Sequence, residues 1–315
     1  MLTDIDLPPG VTKINSSLYQ LYAPPGPGQS EVDIIFFHGL QLGDYRAAYY
    51  DTWFNGNVCW PQTFLGEQTL INARIFSISY DSSARKTNAE GYGDVYTIAE
   101  NLVADIIDNK EVAMGRLCPV ILVGHSLGGL VIKKILLMTC EIKCSSDPQQ
   151  PQDLEKITRY DDFIRQVRGV FYYATPHQGS ILADRALWLP GNSQVLQFLK
   201  TLSNDTARLN DHFRKFRSKH NIQASTIAES LPTRRFFAFW RLFPVSAIVV
   251  VEASARFDTF DHYTSTTADH ITVCKPPDMN DNRFSKLREF IKGNMPQGQQ
   301  LTDARNAEAA ELSLQ

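Results

Sequence analysis

The chain has 315 residues, 43% of them apolar, and a formal net charge of −3 at neutral pH. This length can bury a large core in one domain or in two smaller ones. The weak negative charge provides no basic surface, which argues against nucleic acid or an anionic membrane as a binding partner.

The first residues and the apolar runs argue against a secretory signal and a transmembrane helix. Residues 1–10 carry two aspartates and two prolines where a signal would need a continuous apolar stretch. The longest apolar run, residues 245–251, is far shorter than the roughly 20 residues that cross a bilayer. Peripheral contact with a membrane stays open. Five cysteines without paired spacing fit free thiols, so we expect an intracellular, cytoplasmic protein with no metal site and no cofactor.

Apolar runs predict the strands of the fold. They are residues 32–37, 74–80, 119–123, 170–173 and 235–240, with residues 247–251 behind the last. Runs that are apolar throughout are typical of strands covered on both faces, as in a parallel sheet. Between them, apolar residues at helical spacing predict helices near residues 98–107 and 130–138. This alternation predicts an α/β fold with a mostly parallel, doubly wound sheet.

Two parts of the chain depart from this alternation. Residues 187–230 interrupt the strand series, and we expect a helical lid there, above the carboxyl ends of the strands where ligands bind. Residues 294–315 are rich in Gln, Ala and Glu and lack aromatic side chains, which predicts a polar, loosely ordered tail. Residues 1–293 are accordingly expected to form a single domain with the lid as an insertion.

The strongest chemical signal is the sequence GHSLGG at residues 124–129. It fits the pattern G-x-S-x-G and lies after an apolar strand and before a helix, where a serine can stand on a sharp turn. Glycines on both sides remove the Cβ atoms that would clash with the strand and the helix. The helix N-terminus behind the turn favours developing negative charge. Ser126 is therefore the predicted nucleophile.

Two backbone amides are candidates for binding an oxyanion. In a fold with this kind of turn, the loop after the first parallel strand donates one N–H, and the residue after the nucleophile donates the other. Here these are the amides of Leu40 and Leu127, each worth about 3 kcal/mol of barrier by analogy with measured sites. His38, at the start of the first loop, is expected to be structural.

The predicted general base is His270. It follows the last predicted strand and precedes the C-terminal helix, as the chain order serine, acid, histidine requires. His262 is the rival, because it too follows the strand predicted at residues 235–240. The position next to the C-terminal helix favours His270.

Several stretches can be taken together with this turn: GHSLGGLVIKK at residues 124–134, ATPHQGS at 174–180, and DHITVCKP at 269–276. Together they resemble the lipase-like proteins described as "serine active site containing", which are related to hydrolases of the glycosylphosphatidylinositol-inositol deacylase type. The resemblance extends over residues 32–291. It implies the α/β-hydrolase fold and ester or lipid-ester chemistry, and it leaves the substrate open.

The position of the acid departs from this family. The resemblance implies an acidic residue after the fifth strand, in the context Phe-x-Glu-Thr-x-Pro. The corresponding stretch here is FWRLFP at residues 239–244. Arg241 stands in the place of the acid, and a cation cannot orient His270 or stabilise its charged form.

Other carboxylates follow in the chain. Glu252 is the nearest in the correct order, and the alternative for it is a residue that complements a helix dipole. Asp258 and Asp261 are weaker candidates. If none of them reaches His270, the site is a serine–histidine dyad.

The expected function is hydrolysis of a carboxylic ester. Ser126 attacks the acyl carbonyl, His270 carries the proton, and water releases the acyl group. The expected substrate is a small-molecule or lipid-like ester with an apolar acyl group. One alternative is transfer of the acyl group to an alcohol or amine, as in an acyltransferase or a cyclising thioesterase. Another is a non-catalytic binding module that has lost its acid, against which the retained Ser126 and His270 argue.

Overall fold

The computed structural model describes most of the chain. The described residues are 7–25, 30–41, 44–69, 71–82, 95–116, 118–179, 204–233, 248–258 and 261–295. The strand predicted at residues 235–240 lies outside the described residues. So do Arg241, residues 187–203 of the predicted lid, and the predicted tail from residue 296.

Eight strands of the described residues form one sheet. They are β1 (Thr12–Lys13), β2 (Leu18–Tyr22), β3 (Val32–Phe37), β4 (Ala73–Ile78), β5 (Val120–His125), β6 (Val167–Tyr173), β7 (Gln223–Glu229) and β8 (His262–Thr266). Their spatial order is β1-β2-β4-β3-β5-β6-β7-β8. β2 runs antiparallel to β1 and β4. In the spatial order β4-β3-β5-β6-β7-β8, every pair of neighbouring strands is parallel. The predicted α/β fold with a mostly parallel sheet is confirmed.

Helices cover both faces of the sheet. They are α1 (Ala48–Asp51), a π-helical segment (Pro61–Glu67), α2 (Val95–Ile107), α3 (Leu127–Ser145), α4 (Pro151–Gln166), α5 (Asn204–Lys219), α6 (Glu252–Ala255) and α7 (Asn282–Gly293). In β3, Ile35 and Phe37 join the core under α2 to α5, whereas Ile34 and Phe36 join the core under α1, the π-helical segment and α7. Successive strand residues point to opposite faces, so a strand covered twice is apolar throughout. No helix within the described stretches is both long and apolar enough to span a bilayer.

The apolar runs predict four of the eight described strands correctly and miss four, β1, β2, β7 and β8. β3 matches its prediction, and the strands predicted at residues 74–80, 119–123 and 170–173 appear as β4, β5 and β6 with shifted ends. The strand predicted at residues 247–251 is wrong for the described residues 248–251, which form no strand. Two of the missed strands, β7 and β8, have the sequences QASTIAE and HYTST, whose small and hydroxyl side chains give no apolar signal.

The second half of the predicted lid belongs to the body of the fold. α5 places Leu209 and Phe213 in the same core as the apolar face of α3. β7 pairs in parallel with both β6 and β8. Residues 204–229 are therefore a helix and a strand of the sheet architecture, and the lid prediction is wrong there. The amphipathic pattern of α5 reflects a face turned toward the core, not a cover over a ligand.

An ion pair between a buried carboxylate and a partly exposed arginine connects β3 to β4. The carboxylate of Asp33 is fully buried and accepts hydrogen bonds from Nε and Nη2 of Arg74, each at 2.7 Å. It also accepts the backbone N–H of Gly115 at 3.1 Å. The fork of the guanidinium thus fixes the register of two neighbouring central strands.

We expect Asp33→Ala to lower the free energy of unfolding by about 2–4 kcal/mol, because it removes a buried acceptor of three hydrogen bonds and leaves the partly exposed guanidinium of Arg74 without its partner. Urea denaturation measures this change. The matched control is Asp44→Ala, which removes an ion pair with Arg46 whose two side chains are about half exposed, and it should cost under about 1 kcal/mol. Equal losses in the two variants would contradict the role given to Asp33.

Candidate active site

Three side chains converge at the carboxyl edge of the sheet. Ser126 follows β5, Glu229 ends β7 and His270 follows β8. Because parallel strands all end at the same edge, the groups that follow them lie close together. All three residues are buried, with exposed fractions of 7% for Ser126 and 4% for each of the others.

Ser126 occupies a strained turn between β5 and α3. Its backbone has φ 53° and ψ −123°, which residues other than glycine seldom adopt. Such a conformation costs about 1–3 kcal/mol and persists only where the surrounding structure enforces it. Here the N–H of Ser126 donates to the carbonyl of Tyr173 at 2.9 Å, and its own carbonyl accepts the N–H of Gly129 at 3.2 Å.

Two glycines make room for this turn. A Cβ atom at Gly128 would lie 2.3 Å from the carbonyl oxygen of Phe37, and one at Gly39 would lie 2.8 Å from the Cβ of Ser126. Real Cβ atoms do not approach other heavy atoms this closely, and a backbone carbonyl cannot swing aside. The expected steric role of glycine beside Ser126 is confirmed at Gly128.

A single hydrogen-bonded chain joins the three side chains. Oγ of Ser126 lies 2.8 Å from Nε2 of His270, and Nδ1 of His270 lies 2.5 Å from Oε2 of Glu229. An imidazole in this setting can accept the serine proton at one nitrogen while the N–H at the other donates to the carboxylate. This arrangement can convert a weakly nucleophilic hydroxyl into a reactive one.

The carboxylate of Glu229 is held from two sides. Its side chain is fully buried, and burying a charge is costly unless donors replace the water that is lost. Oε1 accepts the backbone N–H groups of Val249 at 2.5 Å and Val250 at 2.9 Å, and Oε2 faces His270. These donors also explain why the apolar residues near 250 form no strand, since their N–H groups bind a carboxylate instead of a neighbouring strand.

The backbone of His270 is anchored at both its N–H and its carbonyl. The N–H donates to Oγ1 of Thr233 at 3.0 Å, and the carbonyl accepts Nε2–H of His125 at 2.8 Å. Burial, followed by the charge of His270, holds the pKa of His125 well below its usual range. His125 is therefore neutral at pH 7, and its one ring proton lies on the nitrogen that faces His270.

His38 holds the loop after β3 in place. Its Nε2 accepts the backbone N–H of Tyr80 at 3.1 Å, so its proton lies on Nδ1, which donates to the carbonyl of Gly39 at 2.8 Å. The ring also stacks on that of Tyr80 with 4.0 Å between centroids. Burial lowers the pKa of His38 to about 4, which keeps the ring neutral at pH 7. These contacts are structural, as the sequence predicts for His38.

The two residues predicted to bind an oxyanion have backbones next to the nucleophile. Leu127 is the first residue of α3 and is fully buried, so its N–H is among the helix amides without an intrahelical acceptor. Leu40 is half-buried and follows Gly39, which packs against Ser126.

The three predicted acids lie elsewhere, and the prediction of Glu252 is wrong. Glu252 is in α6 with 64% of its side chain exposed, and it pairs with Arg256 at 2.7 Å. The carboxylate of Asp261 pairs with Arg217 at 2.6 Å. Since Glu229 occupies the position at Nδ1 of His270, neither these two residues nor Asp258 serves there.

The sequence pattern assigns Glu229 to the predicted lid, because β7 lacks an apolar run. A signal for it exists in residues 227–232, which have the sequence IAESLP. This fits the family context Phe-x-Glu-Thr-x-Pro with Ile in place of Phe and Ser in place of Thr. The alignment of that context with residues 239–244, and hence of the acid with Arg241, is wrong.

The rival base is placed far from the nucleophile. His262 is the first residue of β8 and is exposed, whereas the nucleophile follows the opposite, carboxyl end of β5. The structure therefore brings His270 to Ser126, whereas His262 lies where the parallel strands begin, at the opposite end from Ser126.

A mostly parallel sheet with a serine on a strained strand-to-helix turn defines an α/β hydrolase. The family described as "Putative serine esterase (DUF676)" matches residues 60–229, more than half of the chain. The chain belongs to this family, and the matched stretch contains Ser126 and ends at Glu229.

Named relatives agree with this membership, and a solved structure agrees with the fold. Protein SERAC1 of Homo sapiens is 25% identical over 93% of this chain, and that of Mus musculus is 26% identical over 83%. The chain spans only 43% and 38% of the length of these two proteins. The lipase BlEst2 of Bacillus licheniformis in its propeptide form matches with a TM-score of 0.56 at 19% identity, covering 89% of this chain and 54% of that chain. The resemblance to lipase-like serine hydrolases is confirmed, and the relation to inositol deacylases stays a prediction.

We expect Glu229→Gln to lower kcat by about 10⁴-fold, because an amide in place of a triad carboxylate no longer orients the imidazole. Glu252→Gln is the matched control and should leave kcat within about twofold, since its exposed carboxylate only pairs with Arg256. Hydrolysis of p-nitrophenyl acetate by the two purified variants measures both. A large loss at Glu252, or none at Glu229, would contradict the geometry.

Proposed function

We propose that this protein is a serine esterase that cleaves carboxylic esters through an acyl-enzyme on Ser126. The observation that carries the proposal is the buried hydrogen-bonded chain from Ser126 through His270 to Glu229. Membership of the serine esterase family supports the same reaction class.

The reaction runs in two halves. Oγ of Ser126 attacks the ester carbonyl while Nε2 of His270 takes the hydroxyl proton, and the imidazolium then protonates the departing alkoxide, which leaves as an alcohol. A water molecule next attacks the acyl group and passes a proton to His270. When that proton returns to Oγ, the carboxylic acid is released, and the net change is ester plus water to acid plus alcohol.

Glu229 and two backbone amides complete the proposed machinery. Glu229 fixes the tautomer of His270 and offsets the positive charge that forms on it. The N–H groups of Leu40 and Leu127 bind the oxyanion of each tetrahedral intermediate, each contributing about 3 kcal/mol to lowering the barrier. The contact of Gly39 with Ser126 supports this placement, because it brings the loop of Leu40 to the nucleophile.

We expect Ser126→Ala to abolish labelling by a fluorophosphonate probe and to lower kcat by about 10³-fold or more. The fold should be retained, because alanine removes only the hydroxyl and circular dichroism can verify this. Ser285→Ala is the control, since Ser285 only bonds the carbonyl of Asp281 within α7. Full turnover by Ser126→Ala would eliminate the serine mechanism.

Apolar side chains near the base support an apolar acyl substrate. Ile271, next to His270, is 40% exposed. Ile248, next to Val249, is 38% exposed, and Leu231, two residues after Glu229, is 45% exposed. Large aliphatic side chains that stay exposed beside a catalytic group can bind an acyl chain. The aromatic residues Tyr49 and Trp53, in contrast, are buried in the core and do not serve this purpose.

We expect kcat/KM for p-nitrophenyl esters to rise by about two- to fourfold per added CH₂ over short acyl chains, because each buried CH₂ contributes up to about 0.8 kcal/mol. Ile271→Ser should flatten this dependence, whereas Leu154→Ser, at a 51% exposed position on α4, should not. A series that shows no dependence on chain length would contradict the apolar substrate class.

The extent of the domain and the location are also proposals. A single domain over residues 1–293 is supported by one sheet that includes strands from β1 to β8 and by α7, whose Phe284 joins the core beneath it. An intracellular, cytoplasmic location is supported by the five cysteines, all of which are free thiols.

A further inference from the structure

Lys133 is a fully buried lysine on α3, about two helical turns after the nucleophile. Its Nζ lies 2.8 Å from Nδ1 of His177 and 2.7 Å from Oδ1 of Asn210. It also lies 3.5 Å from the centroid of the Phe257 ring, and two further aromatic rings enclose it at 5.6 Å. The amine therefore sits in a closed cluster that a substrate does not reach.

Stability alone does not account for this cluster. Burial, then the charge of Arg214, holds the pKa of Lys133 well below its usual range, and burial, then the charge of Lys133, does the same for His177. Well-packed apolar side chains of similar volume in place of a buried polar cluster are often neutral or stabilising. We therefore expect this cluster of two basic groups to have a role other than stabilising the fold.

The cluster fastens residues 175–179, the loop after β6, to the helix of the nucleophile. Lys133 binds the ring of His177, while Nδ2 of Asn210 donates to the carbonyl oxygen of the same histidine. His177 is thereby held at its side chain and its backbone, by α3 on one side and α5 on the other.

The same loop is bonded to Ser254 in α6. The N–H of His177 donates to the carbonyl of Ser254 at 2.8 Å, and the N–H of Gln178 donates to its Oγ at 3.0 Å. The hydroxyl of Ser254 in turn donates to the carbonyl of Gly179 at 2.6 Å. One serine side chain therefore closes two hydrogen bonds to the loop.

The segment that contains Ser254 also contains the N–H groups that donate to the carboxylate of Glu229. Val249 and Val250 bind Oε1 of Glu229, and the N–H of Ser254 donates to the carbonyl of Val251 at 2.9 Å. A series of hydrogen bonds thus runs from Lys133 on α3 through the loop and Ser254 to the carbonyl of Val251, and the chain itself joins Val251 to the peptide groups of Val249 and Val250 that hold the carboxylate.

We propose that Lys133 and Ser254 are positioning residues, which fasten the peptide groups of Val249 and Val250 so that the carboxylate of Glu229 is aimed at His270. The proposal rests on the serine esterase function proposed above. Neither residue touches the reacting atoms. Their effect falls on kcat, because the orientation of the imidazole matters as the proton moves, and substrate binding is left unchanged.

Two variants and two matched controls test the proposal on the full chain. Lys133→Met removes both polar contacts of the amine. Ser254→Ala removes only the two hydrogen bonds that the Ser254 hydroxyl makes with Gln178 and Gly179. Lys134→Met removes the neighbouring lysine, which is also largely buried but pairs with Glu141 at 3.6 Å, away from the loop. Ser285→Ala is the control for the loss of a serine hydroxyl.

Hydrolysis of p-nitrophenyl acetate is measured per active site, with the sites counted by complete labelling of Ser126 with a fluorophosphonate. We expect kcat per labelled site to fall about tenfold or more in Lys133→Met and Ser254→Ala, with KM unchanged within about twofold. Both controls should stay within about twofold in both constants. A role in folding alone would lower the midpoint of thermal unfolding and the number of labelled sites, and it would leave kcat per labelled site unchanged.

An unchanged kcat per labelled site in Ser254→Ala overturns the proposal, and so does a loss of the same size in Lys134→Met. If Lys133→Met does not fold, Ser254→Ala decides alone, because it leaves the buried cluster intact. Failure of the proposed function gives a different result, since the unaltered protein would then neither label with the probe nor hydrolyse the ester.

Discussion

The buried charge of Glu229 is the constraint that organises the active-site edge of this protein. A carboxylate without contact with water needs donors from the protein, and here these come from His270 and from the peptide groups of Val249 and Val250. They belong to different segments of the chain, one after β8 and one before α6. The requirement to compensate one charge therefore brings Glu229, His270 and the segment before α6 together, and it defines where the imidazole points.

Ser126, the proposed nucleophile, is held by a different means, the close packing of backbone around it. Ser126 adopts a conformation that costs about 1–3 kcal/mol, and the turn remains because α3 lies against the end of β3 without side chains between them. Gly128 makes this approach possible, since any Cβ there would overlap the carbonyl of Phe37. The position of Ser126 thus depends on steric fit, whereas the positions of His270 and Glu229 depend on compensation of a buried charge.

This difference explains which parts of the site could be predicted from the sequence. Steric constraints demand glycine at fixed spacing around a serine, so Ser126 and its place after a strand are visible in GHSLGG, and chain order then points to His270. Compensation of a charge by peptide N–H groups leaves no residue pattern, because Val249 and Val250 take part through their backbone. β7 also has small and hydroxyl side chains, so the strand that carries Glu229 resembles a polar connection. Because β7 is not visible as a strand, the amphipathic α5 before it resembles a helix of an inserted lid.

The position of the acid also bears on whether the fold is kept only as a binding module. That alternative depended on Arg241 having replaced the acid, but the context that should contain it recurs at residues 227–232, where Glu229 stands. A binding module gains nothing from a strained serine or from a carboxylate buried against a histidine, and each lowers the free energy of unfolding by about 1–3 kcal/mol unless its surroundings compensate. This chain keeps both features, together with the glycines and peptide donors that make them tolerable. Their joint retention is what proton transfer between Ser126 and His270 requires, and the binding of a ligand does not require it.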